Sequence, residues 1–305
     1  MLTDSLPENR QDIVFITVIL LPLIILVGIL IYLPAVDSLI VSFTNENLRI
    51  RRLPKFIWLE NYSKLLGNSE FWIVTVRSLL VVALTLPLEL LISLGLALLL
   101  TEVFPGRAMV RTLVLLPWML PPIVNGFLWG WLLNGEYGAL NGLLYQLGII
   151  DEYVTWLRNP DTQVIWVAVV QTWTRFAFPT IILLAGLQSI PKDLIDAAKV
   201  DGASSWQSFK SIVLPLLMPS FAIALTIEFI AAFQIFDVIW TLTAGGSAGG
   251  AINPFTKTLM LYNYELVFRD LRIGLGAALS YLILFLSLGV AIVFVTRLYN
   301  QAVKS

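Results

Sequence analysis

Three ionisable residues stand out well inside long apolar runs: Glu89, Arg175 and Glu228. Charge in such a setting is costly, so each is either functional or held in an internal pair. Gln171 lies one helical turn before Arg175 and Phe178 about one turn after it, so the three can share a face. Ala231, Ala232 and Ile235 fall on the side of Glu228. A face that joins an amide, a charge and aromatic rings can hydrogen-bond hydroxyls and pack on C–H surfaces. That is the chemistry of a bound sugar or polyol. Arg175 and Glu228 could instead read a charged solute such as a glycerol phosphate, or pair with each other. For Glu89 an internal ion pair or a helix–helix hydrogen bond is the preferred reading. Trp129, Trp166 and Trp173 add aromatic surface, although tryptophan is also the usual interfacial residue of membrane helices.

Catalysis finds little support. The chain has no cysteine and no histidine, which removes thiolate chemistry, the commonest general base and the commonest metal ligand. No metal site is expected. No G-x-x-x-x-G-K-[ST] phosphate loop is present, and the glycines at 245–250 lack the lysine that such a loop needs. Asp151 and Glu152 lie in a polar connector and read as a solvated face. The net charge of −1 offers no basic field for nucleic acid. Any pumping would draw its energy from a partner.

The elements that must position these residues are membrane spans. The 305 residues are 58% hydrophobic and 13% charged, with a mean hydropathy of +0.86. A soluble domain carries about 25% charge, so the deficit indicates an all-α, polytopic membrane protein. Six apolar runs are long enough to cross a bilayer: 13–34, 71–100, 108–133, 164–187, 212–236 and 273–295. The first reads as an uncleaved span, being too long for a secretory signal core. Pro117, Pro121 and Pro122 in the third predict local kinking. Gly274, Gly276, Ala277, Ala278 and Ser280 in the sixth permit close helix packing. A short amphipathic helix is expected around 140–147. No domain boundary and no internal repeat is visible, so a single membrane domain over 1–305 is expected. Loops and tails on the terminal side, with Arg111 counted in the loop 101–112, hold eight Lys and Arg and those on the other side nine. The positive-inside rule is balanced, and orientation follows from the stretch considered next.

Residues 191–215 form a polar island between two apolar runs. Pro191 suits a first helical turn and Asp193 favours that N-terminus. Leu194, Ala197, Ala198 and Asp201 share a face. Gly202 is placed to end the helix in the left-handed region. Ser204 and Gln207 have capping-box spacing and would start the next helix. The stretch reads as two short helices, serving as a linker or as a docking site where small alanines admit a partner and Asp196 meets a basic group.

The order Asp196-Ala197-Ala198, Gly202, then Ile212-Val213-Leu214-Pro215 resembles the Glu-Ala-Ala loop of ABC importer permeases, with Asp196 in place of the usual glutamate. Carbohydrate-type permeases of that family are similar also at Asn61-Tyr62, Leu88-Glu89-Leu90 with Leu94-Gly95-Leu96-Ala97, Gly106-Arg107 with Leu116-Pro117-Trp118, Asp201-Gly202-Ala203, Phe236-Asp237, and Thr243 with Gly245-Gly246. The resemblance covers nearly the whole chain. It implies type I importer architecture and alternating access, with 191–205 as a cytoplasmic coupling helix seated on an ATPase. Asp196, Ala197, Ala198, Gly202, Ile212, Leu214 and Pro215 would carry the coupling. It places a solute site on the spans flanking that loop, at Gln171, Thr174, Arg175, Phe178, Glu228, Ala232 and Ile235. It implies a second, similar permease subunit, a heterodimer before a homodimer, two cytoplasmic ATPases that hold ATP and Mg, and an extracytoplasmic solute-binding protein. The connector 237–256 would face outside, toward that protein. The chain itself would carry no cofactor and no catalytic residue. It would sit in a bacterial inner membrane with cytoplasmic termini. A sugar or polyol is the expected solute; the same architecture could import glycerol phosphate, an amino acid or another small solute. A membrane scaffold without transport is the reading of a different class.

Overall fold

A computed structural model of the chain describes residues 10–50, 53–244 and 255–304. Arg51, Arg52 and the glycines at 245–250 lie outside the described residues. The regular structure among the described residues is helical, apart from one isolated antiparallel bridge, Thr44 to Phe56. In chain order the helices are α1 (Arg10–Val27), α2 (Leu33–Ser42), α3 (Glu60–Leu66), α4 (Ser69–Thr101), α5 (Arg107–Met119), α6 (Pro122–Leu132), α7 (Ala139–Gln146), α8 (Pro160–Arg175), α9 (Ala177–Gln188), α10 (Lys192–Val200), α11 (Ser205–Ser208), α12 (Leu214–Phe233), α13 (Asp237–Ile239), α14 (Leu259–Tyr264) and α15 (Ile273–Lys304). Wide π turns join α1 to α2 and α11 to α12.

Four continuous helical segments are long and apolar enough to cross a membrane: Thr17–Ser42, Ser69–Thr101, Ser205–Phe233 and Ile273–Thr296. Two bent pairs bring the number to six, α5 with α6 at 95° and α8 with α9 at 51°. The expected run 212–236 is corrected at both ends. Its helix begins at Ser205, through the capping box and a π turn, and stops at Phe233, so Gln234 to Phe236 lie outside it.

The single domain expected from sequence resolves into two compact units, residues up to Gly67 with Tyr264–Tyr281, and Asn68–Asn263 with Leu282 onward. The reason lies in the backbone pairing of the 43–57 connector. In the first unit the Leu48 N–H donates to the Leu271 carbonyl at 2.9 Å and the Gly274 N–H to Glu46 at 3.1 Å. Arg49 Nη2 donates to the Arg269 carbonyl at 2.6 Å. Buried Asn61 donates to the carbonyls of Ser42 and Thr44, at 2.8 and 2.7 Å, and so closes the connector on itself. The Thr17–Ser42 segment leaves its most apolar stretch wholly unburied.

In the second unit α4 packs along α8, α9 and α12. Ala97, Leu100, Leu183, Leu187 and Leu217 form the core toward the α10 end. Val81, Val167, Val170, Ile235, Ile239 and Leu261 form the core at the other. Gly126 of α6 meets Thr241 so closely that a β-carbon there would fall 1.7 Å from the Thr241 hydroxyl.

Candidate functional site

The two bends follow from proline chemistry. Pro121 and Pro122 have no N–H, so the carbonyls one turn earlier lose their helical donors. Buried Asn125 replaces one of them. Its Nδ2 donates to the Pro117 carbonyl at 3.0 Å and to the Leu120 carbonyl at 3.3 Å. In the α8–α9 pair Pro179 likewise offers no donor to Arg175. Ser93 Oγ, from α4, donates to the adjacent Phe176 carbonyl at 2.8 Å. The Phe176 carbonyl also accepts from Thr180, so Ser93 ties α4 to the break without replacing a lost donor. A broken helix at membrane depth is tolerated when neighbouring side chains re-satisfy the backbone, as Asn125 does at Pro117.

The interrupted helices surround a cavity of about 230 Å³. Gln171, Thr174 and Arg175 line it from the end of α8, and Pro122 from the start of α6. Gln234, Ile235 and Asp237 line it from the break between α12 and α13. The cavity thus joins four of the expected positions in type, an amide, a hydroxyl, a guanidinium and an apolar side chain. The Thr174 hydroxyl donates its hydrogen to the Val170 carbonyl at 2.8 Å, so toward a ligand it can act only as an acceptor.

Three expected positions fall elsewhere. Phe178 packs on Trp118, ring centroids 5.9 Å apart, and is not among the lining residues. The face shared with Gln171 and Arg175 assumed one straight helix, and the 51° bend between α8 and α9 ends that face at Arg175. Ala232 is buried in the helix packing. Glu228 is fully buried and turns to Arg175, whose Nε donates to Oε2 at 2.6 Å and Nη2 to Oε1 at 3.2 Å. Glu89 is also fully buried, beside this pair, but neither of its carboxyl oxygens has a hydrogen-bond partner among the described residues. Trp129, Trp166 and Trp173 group together, with Trp129 6.1 Å from each of the others.

Sequence reasoning missed Gln234, Asp237, Ser93 and Asn125. The usable signal for the first two was the apolar run ending in Gln234 and restarting after Asp237. The prolines announced freed carbonyls but not which distant side chains would reach them.

At the polar island, α10 covers Lys192–Val200 and buries no residue. Pro191 is corrected by one position. Its extended backbone (ψ 127°) makes it the N-cap, not a member of the first turn. Gly202 has φ +84°. The Ala203 N–H donates to the Ala198 carbonyl at 2.9 Å and the Gly202 N–H to Lys199 at 3.1 Å, the paired bonds of a Schellman C-cap. The Ser204–Gln207 capping box is formed in both directions. Asp196 and Ala197 are exposed and Ala198 half-buried. Asp196 is paired with Lys199 at 3.0 Å, an exposed pair worth little by itself. Ile212 and Val213 close the π turn and Leu214-Pro215 open α12.

The sequence profile of binding-protein-dependent transport system inner membrane components matches residues 89–305. The chain belongs to this family. That inner membrane components are multi-pass accords with the six apolar spans, and the family is one of permease subunits, not of enzymes. The family member is 37% identical over 275 residues to the trehalose/maltose transport system permease protein MalF of Thermococcus litoralis, covering 90% of each chain. It is 34% identical to the sulfoquinovosyl glycerol transport system permease protein SmoG of Agrobacterium fabrum, covering 90% of this chain and 87% of that one. Among solved structures, a bacterial ABC transporter involved in import of the acidic polysaccharide alginate superposes with a TM-score of 0.76 at 24% identity, over 96% of both chains. The alginate transporter in complex with a pentasaccharide-bound periplasmic protein gives 0.77 at 22%, over 95% of both. These likenesses give the inner membrane component its fold, that of ABC importer permeases.

Proposed function

We propose that the chain is the transmembrane permease subunit of an ATP-driven importer that moves a sugar or polyol-like solute into the cell by alternating access. The observation that carries this reading is the cavity bounded by interrupted helices and lined by Gln171, Thr174, Arg175 and Gln234. Transporters place solute sites where helices are broken, because only there do backbone and polar side chains face a path. The relatives whose names specify a solute handle trehalose, maltose or a sulfoquinovosyl glycerol.

The α10 stretch is the coupling helix of this reading. It buries no residue, and its surroundings present Leu194, Val200 and Trp206, of which Val200 is 88% and Trp206 69% exposed. Exposed apolar side chains on a capped, otherwise polar helix fit a groove in a cytoplasmic ATPase. Asp196, Ala197, Ala198 and Gly202 meet that partner, and Ile212, Leu214 and Pro215 carry its motion into α12. Two such ATPases hold ATP and Mg. This orientation puts the termini in the cytoplasm and the 237–256 connector outside, toward a solute-binding protein. The unburied Thr17–Ser42 segment and the exposed apolar side chains of α5 and α6, among them Leu116, Met119, Phe127 and Trp131, support a second permease subunit, as in a heterodimer.

Co-expression with the candidate ATPase and binding protein, followed by uptake of labelled trehalose into proteoliposomes, tests the assignment. ATP-dependent uptake that needs the binding protein is expected. A solubilised chain that never retains an ATPase refutes it.

A further inference from the structure

The cavity walls are unequally charged. Among the described residues lining it, Arg175 is the cation and Asp237 the anion. The charge of Arg175 is balanced by Glu228, to which both Nε and Nη2 donate. Drawing it toward a solute anion would strand the Glu228 carboxylate, which is fully buried, and an unpaired buried charge is strongly disfavoured. Asp237 is exposed to the cavity at the start of α13, and no hydrogen bond or ion pair joins its carboxylate to a described residue. Glu89, behind the pair, adds no positive charge in either protonation state. The segment 245–254, next along the chain, contains no charged residue. The charge presented to a solute is therefore negative.

We propose that Asp237 is a specificity-determining residue that makes this pathway accept neutral polyhydroxylated solutes and reject phosphorylated, carboxylated or sulfonated ones. The proposal rests on the reading of the cavity as the solute site. A carboxylate only accepts hydrogen bonds, and adjacent sugar hydroxyls donate them. A solute oxyanion cannot donate, and it meets a like charge at contact distance, which costs about a factor of ten in binding. Gln171 and Gln234, each donor and acceptor, read the remaining hydroxyls without a charge preference.

The test uses the full permease–ATPase complex in nanodiscs without the binding protein, so that only the membrane cavity selects. Trehalose and trehalose 6-phosphate are titrated by calorimetry against the parent, Asp237→Asn, Asp237→Ser and Asp237→Glu. The parent should bind trehalose at least about tenfold tighter than its phosphate. Asn and Ser should bring that ratio close to one, and Glu should keep it. A ratio unchanged in Asn and Ser overturns the proposal, as does a parent that prefers the phosphate. So does the absence of heat with either probe in a complex that still imports trehalose. ATPase retention is measured on the same purified complexes, and uptake on those complexes placed in proteoliposomes with the binding protein. A complex that imports sugar without charge bias sinks the role of Asp237 alone, whereas loss of both uptake and ATPase in the parent sinks the importer reading beneath it.

Discussion

Arg175 and Glu228, 53 residues apart in the chain, meet through two hydrogen bonds of 2.6 and 3.2 Å. The arginine is 24% exposed and the glutamate not at all. The pair ties the last residue of α8 to the middle of α12, and with them the two segments that flank the α10 stretch. A two-point guanidinium–carboxylate contact fixes orientation as well as distance, so it sets where the cavity wall stands.

Breaking this pair from one side should be costly. Arg175→Ala or Glu228→Ala is expected to destabilise the solubilised protein by about 3–5 kcal/mol. The double variant Arg175→Met with Glu228→Met should regain most of that. Thermal unfolding in one detergent reads all four proteins, and single variants as stable as the parent would show that the pair carries no structural weight.

Asn125 replaces a donor that proline cannot supply. Asn125→Ala leaves the buried Pro117 carbonyl without it, at an expected cost of about 1–3 kcal/mol. Asn125→Leu, similar in volume, should be no better, since volume is not what is missing. Recovery of parental stability in the leucine variant would assign Asn125 to packing instead.

At the contact of α6 with the segment after α13, Gly126→Ala should cost about 1–3 kcal/mol through overpacking, because the new carbon lands on the Thr241 hydroxyl. Thr241→Gly in the same chain should restore most of the loss. If the second change gives no recovery, the strain lies elsewhere.

For the α10 stretch, Gly202→Pro and Asp196→Lys should leave the protein inserted but abolish solute-stimulated ATP hydrolysis. Proline cannot adopt φ +84° and removes the N–H that bonds Lys199. Asp196→Lys reverses the charge offered to the partner. Normal stimulation in both variants would remove this helix from the coupling path.

Much of the architecture was legible in the sequence because it is local. Apolar runs of span length, the Gly202 stop and the Ser204–Gln207 start each depend on neighbours within a few residues, and the helices appear where those signals stand. The solute face was only partly legible. Gln171 and Arg175 share one helix and reach one cavity, whereas Phe178 lies past the 51° break between α8 and α9, whose size no local signal gives. Asp237 was read only as part of the Phe236-Asp237 resemblance and not as a cavity residue, since its place at the cavity comes from where α12 ends. The two-unit division rests on pairings such as Leu48 with Leu271 that no periodicity reveals.

The unburied Thr17–Ser42 segment bears on how the protein is made. Lipid tails solvate leucine and isoleucine as well as another helix would, so this span is thermodynamically complete once it enters the bilayer. During synthesis its apolar stretch settles before Arg175 exists, and later residues add contacts near its end, such as Tyr281 Oη donating to the Ala35 carbonyl. The fourth span has the opposite status, because its arginine emerges from the ribosome 53 residues ahead of its counter-charge. Until Glu228 arrives, that guanidinium has only the earlier Glu89, the insertion machinery or water to shelter it, and the delay makes the fourth span the vulnerable stage of co-translational assembly.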